Sequence, residues 1–290
     1  MLKYVNEHHF DDGSILSCDG LRIKFSVRSD CVEEFSTYMC ATTRIDIVAY
    51  PPKTKDFAYK YMWTINYGTS ESMTVGFEFN GSNHASDVCS GFLDFNPNKV
   101  ADFGGFWSDF RYIKSLCEEW TVLRCDIAYD IRAKRENVIL VKDNRKYELI
   151  AYSLSNRTEC LGMRSAVGRV KVYNKTLEAK LDYDLTRIEV TCEPTPESFF
   201  KYYPEIYNLE LAGQFGMDVF DLSTTELALV RLILECQRSG IDNGMMIFNS
   251  LDFKKKQKLK TFVCPESALV LCSSVVVSQI FGNLRKDYVD

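Results

Sequence analysis

The chain has 290 residues, of which 46% are hydrophobic and 26% charged, and its net charge is −5. This balance is typical of a folded globular protein, and it excludes disordered, collagen-like and repeat-biased chains. No apolar run is long enough to span a bilayer, and the first residues lack the basic-then-apolar order of a signal peptide. We therefore expect a cytoplasmic protein with no membrane partner.

The chain contains eleven cysteines, and no two of them have the C-x-x-C spacing. A zinc ribbon needs close thiol pairs, and a disulfide framework needs an oxidising compartment. We expect most of these cysteines to be reduced and to act as small hydrophobic core residues.

The first hundred residues have mostly strand patterns. A β-branched run at Arg44–Tyr50 predicts a short strand. The segments Phe57–Tyr67 and Met73–Asn80 predict a hairpin around Gly68, because apolar and polar residues alternate in the second of them. Apolar residues then recur at steps of three and four over Phe106–Trp120, which predicts a helix.

Five strand candidates follow this helix, and the last ends where Pro194 halts strand pairing. They are Leu123–Ile131, Val138–Val141, Tyr147–Leu154, Arg169–Asn174 and Thr186–Cys192. The second and third are predicted to form a hairpin across the polar segment Lys142–Lys146.

The pattern changes to helix after the last of these strands. Ser223 and Glu226 have the spacing of a capping box, and an apolar stripe continues beyond them. Pro265–Asp290 fits either a strand or a helix. Strands before helices, without βαβ alternation, predict an α+β fold with a largely antiparallel sheet in residues 40–192 and a helical tail in residues 197–262. We divide the chain into an N-terminal, mostly β portion, residues 1–119, and a second portion, residues 120–290.

Basic residues are concentrated in two stretches of this otherwise acidic chain. Arg164–Lys175 contains four basic residues and no acid, and Lys254–Lys260 contains five lysines in seven positions. An excess of cations on one surface is typical of nucleic-acid binding, and the simpler interpretation is a solvated face.

Carboxylates are the most prominent candidate ligands, because the chain has only three histidines. Asp126 and Asp130 lie on one face of their predicted strand, and Glu189 lies on a later strand. If these strands are neighbours, the three acids converge on an oxygen-lined site that favours Mg²⁺ or Mn²⁺. Acids on a solvated strand face are the alternative.

Four segments in this order resemble a known motif series. They are Leu123-Arg-Cys-Asp-Ile-Ala-Tyr-Asp130, Cys160-Leu-Gly-Met-Arg164, Arg169-Val-Lys-Val-Tyr-Asn-Lys175 and Thr186-Arg-Ile-Glu189. The series is similar to that of the Rep_trans replication initiation factors, which include rolling-circle initiators of plasmids and phages and related conjugative-element relaxases. The resemblance covers about residues 120–262, including the lysine-rich tail.

The resemblance implies a Rep-type sheet and a DNA nicking and joining activity. Such enzymes join a tyrosine to the 5′ phosphate of one origin strand, with a divalent metal at the scissile phosphate. By position, the metal ligands are Asp126, Asp130 and Glu189, with Mg²⁺ or Mn²⁺ as the cofactor. The implied DNA-binding residues are Arg164, Arg169, Lys171, Lys175, Lys254, Lys255 and Lys256. The implied partners are single-stranded or extruded origin DNA, a host helicase and a second copy of the chain, and residues 1–119 are expected to contribute to DNA recognition.

One position departs from the family pattern: Cys160 stands where the family has its tyrosine. Three explanations remain open. Another tyrosine is the nucleophile, with Tyr152 and Tyr173 nearest in sequence and Tyr183 in the loop before the Glu189 strand. Alternatively, Cys160 itself attacks as a thiolate. In the third case the protein is a catalytically silent DNA-binding relative that regulates or marks an origin.

Overall fold

The computed structural model describes the greater part of the chain. The described residues are 6–42, 45–46, 59–68, 71–79, 89–100, 103–153, 155–208, 223–238, 243–252, 254–256, 258–259 and 269–289. The predicted strand at Arg44–Tyr50 is therefore described only at Ile45–Asp46, and most of Lys254–Lys260 lies inside the described residues.

The described strands, in chain order, are β1 Glu7–His9, β2 Ile15–Val27, β3 Ile45–Asp46, β4 Tyr59–Asn66, β5 Ser72–Phe79, β6 Cys89–Phe95, β7 Cys117–Ile131, β8 Val138–Leu140, β9 Tyr147–Ala151, β10 Arg157–Leu161, β11 Val170–Asn174, β12 Thr186–Cys192 and β13 Ile206–Asn208. The helices are α1 Val32–Ala41, α2 Pro97–Val100, α3 Gly104–Ser115, α4 Lys175–Ala179, α5 Pro196–Tyr202, α6 Thr224–Arg238, α7 Asn243–Ser250 and α8 Ser274–Tyr288. Short 3₁₀ turns lie at Ser29–Cys31 and Arg135–Asn137.

An 11-stranded antiparallel sheet organises the fold, in the order β3-β4-β5-β6-β2-β7-β12-β11-β10-β9, with β1 paired to β2. The strands β8 and β13 form a separate two-stranded sheet. This arrangement confirms the α+β class and the antiparallel sheet. The predicted division at residues 119–120 lies inside β7, and strands from both portions share one sheet.

The large sheet has one apolar and one polar face in its central strands, because side chains alternate along each strand. In β12, Ile188 and Val190 belong to the hydrophobic core, whereas Arg187 and Glu189 point to the opposite face. The whole of β12 is buried, including its charged residues. Charged side chains that are buried in this way are more typical of a functional site than of a solvated surface.

Helices cover the apolar face with a continuous set of aromatic contacts. The rings of Phe35 in α1 and Phe77 in β5 lie 4.6 Å apart, and Phe110 in α3 contacts Tyr288 at the end of α8. The indole of Trp120 donates a hydrogen bond of 2.8 Å to the Tyr288 carbonyl. The segment that fitted either a strand or a helix is therefore helical from Ser274 onward and closes the core. No helix in the part of the chain described here is long and apolar enough to cross a membrane.

Several local predictions are confirmed. The β4–β5 hairpin and the strands β7, β11 and β12 lie where the sequence patterns place them. The backbone N–H of Ser223 donates to the Glu226 carboxylate and the backbone N–H of Glu226 donates to the Ser223 hydroxyl, which are the reciprocal hydrogen bonds of a capping box at the start of α6. The ten described cysteines are free thiols, and five of them are buried.

Two local predictions are wrong. Val138–Leu140 does not pair with Tyr147–Ala151: β8 pairs with the distant β13, and β9 pairs with β10. Three strand residues in β8 give too little local pairing to determine a partner, so tertiary contacts select it. The predicted helix ends at Ser115, because Cys117 and Trp120 belong to β7, where their apolar side chains pack from a strand instead.

Candidate active site

The polar face of β2, β7, β12 and β11 brings together charged residues that are distant in sequence. Residues paired across antiparallel strands point to the same face. The register pairs Lys171 with Glu189, Tyr173 with Arg187, Arg187 with Asp130, and Thr191 with Asp126. We call this set the catalytic face, and its residues are Asp19, Asp126, Asp130, Lys171, Tyr173, Arg187, Glu189 and Thr191.

Arg187 is the centre of a buried ion network on this face. It donates from Nε and from one terminal nitrogen to the two oxygens of Asp130, each at 2.6 Å. Its other terminal nitrogen lies 2.8 Å from the carboxylate of Asp19. Such a bidentate pair fixes the guanidinium plane and leaves the Asp130 oxygens occupied. Asp130 is therefore placed to orient Arg187.

A β-bulge directs Asp19 toward this network. The β2–β7 register shifts between Cys18 and Gly20, so Asp19 is the extra residue on β2. A bulge of this kind turns a side chain away from its regular direction. Asn96 donates a second hydrogen bond to Asp19 at 2.9 Å, and Arg187 together with Asn96 lowers the pKa of this carboxyl, although its burial acts in the opposite direction.

Asp126 lies on the same face, two rows along the strands from the Asp130–Arg187 pair, between a threonine and a glycine. The Thr191 hydroxyl donates to its carboxylate at 2.5 Å. On the other side, Gly20 of β2 is opposite Asp126, and a Cβ at this glycine would lie only 2.8 Å from the carboxylate oxygen. The glycine therefore leaves the space that the Asp126 carboxylate occupies.

Glu189 is the most buried acid of the catalytic face after Asp130, at 6% exposure. It forms a close ion pair with Lys171, whose side chain is 42% exposed. Burial raises the pKa of Glu189, and the nearby Asp126 and Asp19 charges add to this effect, while Lys171 opposes it. A cation bound nearby would stabilise the ionised form of Glu189, because it would offset both the burial of the carboxylate and the repulsion from its acidic neighbours.

The carboxylates fit a magnesium or manganese ion in part. Asp126 and Glu189 share the face and are close enough to affect each other electrostatically. Within the described ranges, no group of three His, Cys, Asp or Glu side chains is arranged to hold a metal ion. Mg²⁺ is commonly held by one or two carboxylates together with waters and substrate phosphates. The two available carboxylates match that pattern, and assignment of the predicted ligands Asp126, Asp130 and Glu189 stays a prediction.

Tyr173 is the candidate tyrosine that lies on the catalytic face. It is directly opposite Arg187 in the β11–β12 register. Burial raises the pKa of Tyr173 well above the ordinary value, whereas the Arg187 charge lowers it; Glu189, Glu178 and Asp19 are close enough to raise it further. The phenol is thus a neutral, partly buried group that is close enough to the Arg187 guanidinium and the acids to be affected by their charges.

Each of the other candidate nucleophiles lies off this face, contacts another side chain or is buried. Tyr152 follows the edge strand β9 and is 84% exposed. The Tyr183 ring stacks on Arg132, whose guanidinium carbon is 3.7 Å from the ring centre. Cys160 lies in register with Lys171 and therefore shares the catalytic face, but its side chain is 2% exposed and burial raises the pKa of its thiol, so the thiol is protonated. A buried neutral thiol is a poor nucleophile.

The remaining predicted DNA-binding cations of Arg164–Lys175 lie beside the strands β10 and β11 and pair with acids. Arg164 is 75% exposed and pairs with Glu148 at 2.6 Å, and Arg169 is buried against the same carboxylate at 3.0 Å. These two guanidinium groups lower the pKa of Glu148 to about 2. Arg164 therefore faces solvent, Arg169 holds the loop between β10 and β11, and Lys175 pairs with Glu178 at 2.5 Å.

The lysines of the tail lie on a solvated surface in the described part of the chain. Lys254 and Lys255 are exposed and Lys256 is partly exposed. Lys258 pairs with Glu226 of α6 at 2.7 Å. Exposure agrees with both interpretations of this stretch, DNA contact and a solvated face, and its role stays a prediction.

Sequence reasoning did not identify Asp19 or Thr191. Asp19 is brought to the face by a bulge, which has no reliable signal in a single sequence. Thr191 could have been found, because it is two residues beyond Glu189 on the same predicted strand and so shares its face.

Comparisons with known proteins find similarity to a solved structure. No protein-family model matches the sequence, and no curated protein matches it. A rolling circle replication initiator protein from Geobacillus stearothermophilus is similar in structure, with a TM-score of 0.37 and 13% identity over 61% of this chain and 74% of that chain.

Proposed function

We propose that the protein is a DNA strand transferase of the replication-initiator type, which nicks and rejoins a single strand through Tyr173. One observation carries the proposal: a tyrosine, a fixed arginine and two acids suited to a divalent cation share one face of the sheet. The order and spacing of the motifs that resemble the replication initiation factors support the same activity.

In this proposal, the Tyr173 oxygen attacks the scissile phosphorus and the bond from phosphorus to the 3′ oxygen breaks. The phenolic proton passes to solvent, and the leaving 3′ oxygen takes a proton from solvent. The product is a tyrosine joined to the 5′ phosphate and a free 3′ hydroxyl. The reverse reaction rejoins the strand, because the phosphotyrosine bond conserves the energy of the original phosphodiester.

Each neighbour of Tyr173 has a role on this face. Arg187, held by Asp130 and Asp19, stabilises the negative charge of the phenolate as it forms. Lys171, on the same face, contacts a phosphate oxygen, and Arg164 contacts the DNA backbone. Asp126 and Glu189 would hold Mg²⁺ or Mn²⁺, which when bound polarises the phosphate.

The test uses a pool of single-stranded DNA with a random central sequence and a label at the 3′ end. The attached fragment keeps that label, because the tyrosine bonds to the 5′ phosphate of the downstream piece. We expect labelled DNA to remain on denatured protein in Mn²⁺ and not in excess chelator. Sequencing of the captured DNA then reports the preferred cleavage site. Binding of the pool without any covalent DNA in Mn²⁺ or Mg²⁺ would contradict strand transfer.

A second candidate function is a DNA-binding protein of the same type that does not cleave. The observation that favours it is the protonated, buried Cys160 at the family's tyrosine position. It predicts salt-dependent binding of single-stranded DNA and no covalent product. The substitution Cys160→Tyr separates the two functions: a silent relative gains covalent capture, whereas an enzyme that uses Tyr173 already has it.

A further inference from the structure

A cleft of about 400 Å³ opens on the N-terminal half of the same sheet, beside the catalytic face. Its walls come from β4, β5, β6, β2 and β7, and it ends at Asp19 and Asp126. The cleft and the candidate active site therefore share two acids. A ligand group in the cleft would lie next to whatever occupies the catalytic face.

The cleft is lined by Phe92 and by the guanidinium plane of Arg22 that covers this ring. A Cβ at Gly76 would lie 2.1 Å from the Phe92 ring, so the glycine allows this ring to lie against the neighbouring strand. The Arg22 guanidinium lies over the same ring, 4.8 Å from its centre, and Nε of Arg22 donates to Asp94 at 2.9 Å. Met62 adds a further apolar contact.

The walls combine hydroxyl groups with an excess of acid. Thr74 is directly opposite Asp94 in the β5–β6 register, and Ser72 is two residues earlier on the same side. The ionisable lining residues are three acids, Asp19, Asp94 and Asp126, against Arg22 and Lys99. This balance disfavours a phosphate group, whereas carboxylates and hydroxyls are suited to a neutral planar ring that carries hydrogen-bond donors.

We propose that the cleft holds the unpaired base of a nucleotide next to the scissile phosphate, with a preference for a base that carries an exocyclic amino group. This inference rests on the proposed function, since it names the part of the single-stranded substrate that the cleft receives. Bases stack on aromatic and guanidinium planes, and a carboxylate accepts a hydrogen bond from the amino group of cytosine, adenine or guanine. Thymine has no such donor. The volume is also in the range of small-molecule pockets.

The experiment compares two pyrimidines, so that stacking is similar and the amino group differs. Fluorescently labelled oligo-dC and oligo-dT of about 20 nucleotides are titrated with protein and followed by anisotropy, without metal so that no cleavage occurs. We expect oligo-dC to bind roughly fivefold to tenfold more tightly, the scale of one hydrogen-bonded base contact.

Variants assign that preference to the cleft. Thr74→Phe fills the cleft and should bring the two affinities together while salt-dependent binding of both remains. Thr121→Phe is the matched control, an exposed threonine on β7 outside the cleft, and should keep the preference. If Thr74→Phe does not fold, Ser72→Phe, at the first residue of β5, should likewise bring the two affinities together.

Equal binding of the two oligonucleotides by the native protein, or a preference that survives filling of the cleft, would overturn the base pocket and leave DNA binding intact. No binding of either oligonucleotide would overturn the proposed function itself, and the pocket with it.

Discussion

The two acids of the catalytic face that we propose as metal ligands differ from an ordinary surface pair because both are held in place by neighbours. Asp126 is fixed by the Thr191 hydroxyl and Glu189 by Lys171. Neither acid is needed to close the core, which lies on the opposite face of the same strands. Their removal should therefore affect chemistry far more than stability.

We predict that Asp126→Asn and Glu189→Gln each lower covalent capture of DNA by roughly 100-fold or more, the scale of losing one electrostatic group in a transition state. In Asp126→Asn the new side-chain amide oxygen still accepts from Thr191, and Lys171 is exposed enough to be solvated, so stability should change by less than about 1 kcal/mol. Capture on the random pool and urea unfolding measure the two effects. The control is Asp184→Asn, which changes an exposed acid in the loop before β12. Undiminished capture in both variants would remove these acids from the mechanism.

Buried ion pairs connect the short 3₁₀ turn before β8 to the large sheet. Arg135, in the turn before β8, is buried and forms a close ion pair with Glu159 on β10; Arg157 approaches the same carboxylate to 3.5 Å. The Tyr147 hydroxyl donates to it at 2.9 Å. Burial works against the charge of Glu159, but the two guanidinium groups outweigh it, so the pKa of Glu159 is lowered.

We predict that Glu159→Gln destabilises the protein by about 3–5 kcal/mol at neutral pH, because it leaves two buried guanidinium groups without a countercharge. A carboxyl with a lowered pKa in the folded state stabilises the fold above its unfolded pKa, and this contribution is lost as the pH falls through the folded value. The difference in the free energy of unfolding between native protein and variant should thus be largest near pH 7 and should decrease below about pH 4. Denaturant unfolding across this range measures it, and a difference that is independent of pH would contradict the assignment.

These elements also show what the sequence can and cannot determine. The alternation in Thr186–Cys192 and the Asp126–Asp130 spacing suffice to place the acids on one face, because strand periodicity is a local property. The partner of β8 and the bulge that carries Asp19 depend on contacts between segments far apart in the chain. The Cys117–Trp120 segment continues the helical spacing of the residues before it, but pairing with β2 makes it part of the strand β7.

At the scale of the whole molecule, the proposed DNA binding has to overcome a net charge of −5. Cations must therefore be collected on one side, and exposed Arg164 lies at the edge of the catalytic face. Arg111, on α3, lies on a helix that packs against the opposite, apolar face and is a matched control.

We predict that the affinity for single-stranded DNA falls linearly with salt on logarithmic axes, and that Arg164→Ala lowers the slope by about 1 while Arg111→Ala leaves it unchanged. Anisotropy titrations at several salt concentrations measure both slopes. A flat profile for the native protein would contradict any DNA-binding function.

The central claim is that Tyr173 forms the bond to DNA. Its most direct test is mass spectrometry of the covalent complex captured in Mn²⁺, after digestion of the protein and trimming of the DNA. The account predicts a nucleotide adduct on the peptide that contains Tyr173 and no adduct in Tyr173→Phe, which should still bind DNA. An adduct on Tyr152, Tyr183 or Cys160, or unchanged capture in Tyr173→Phe, would contradict it.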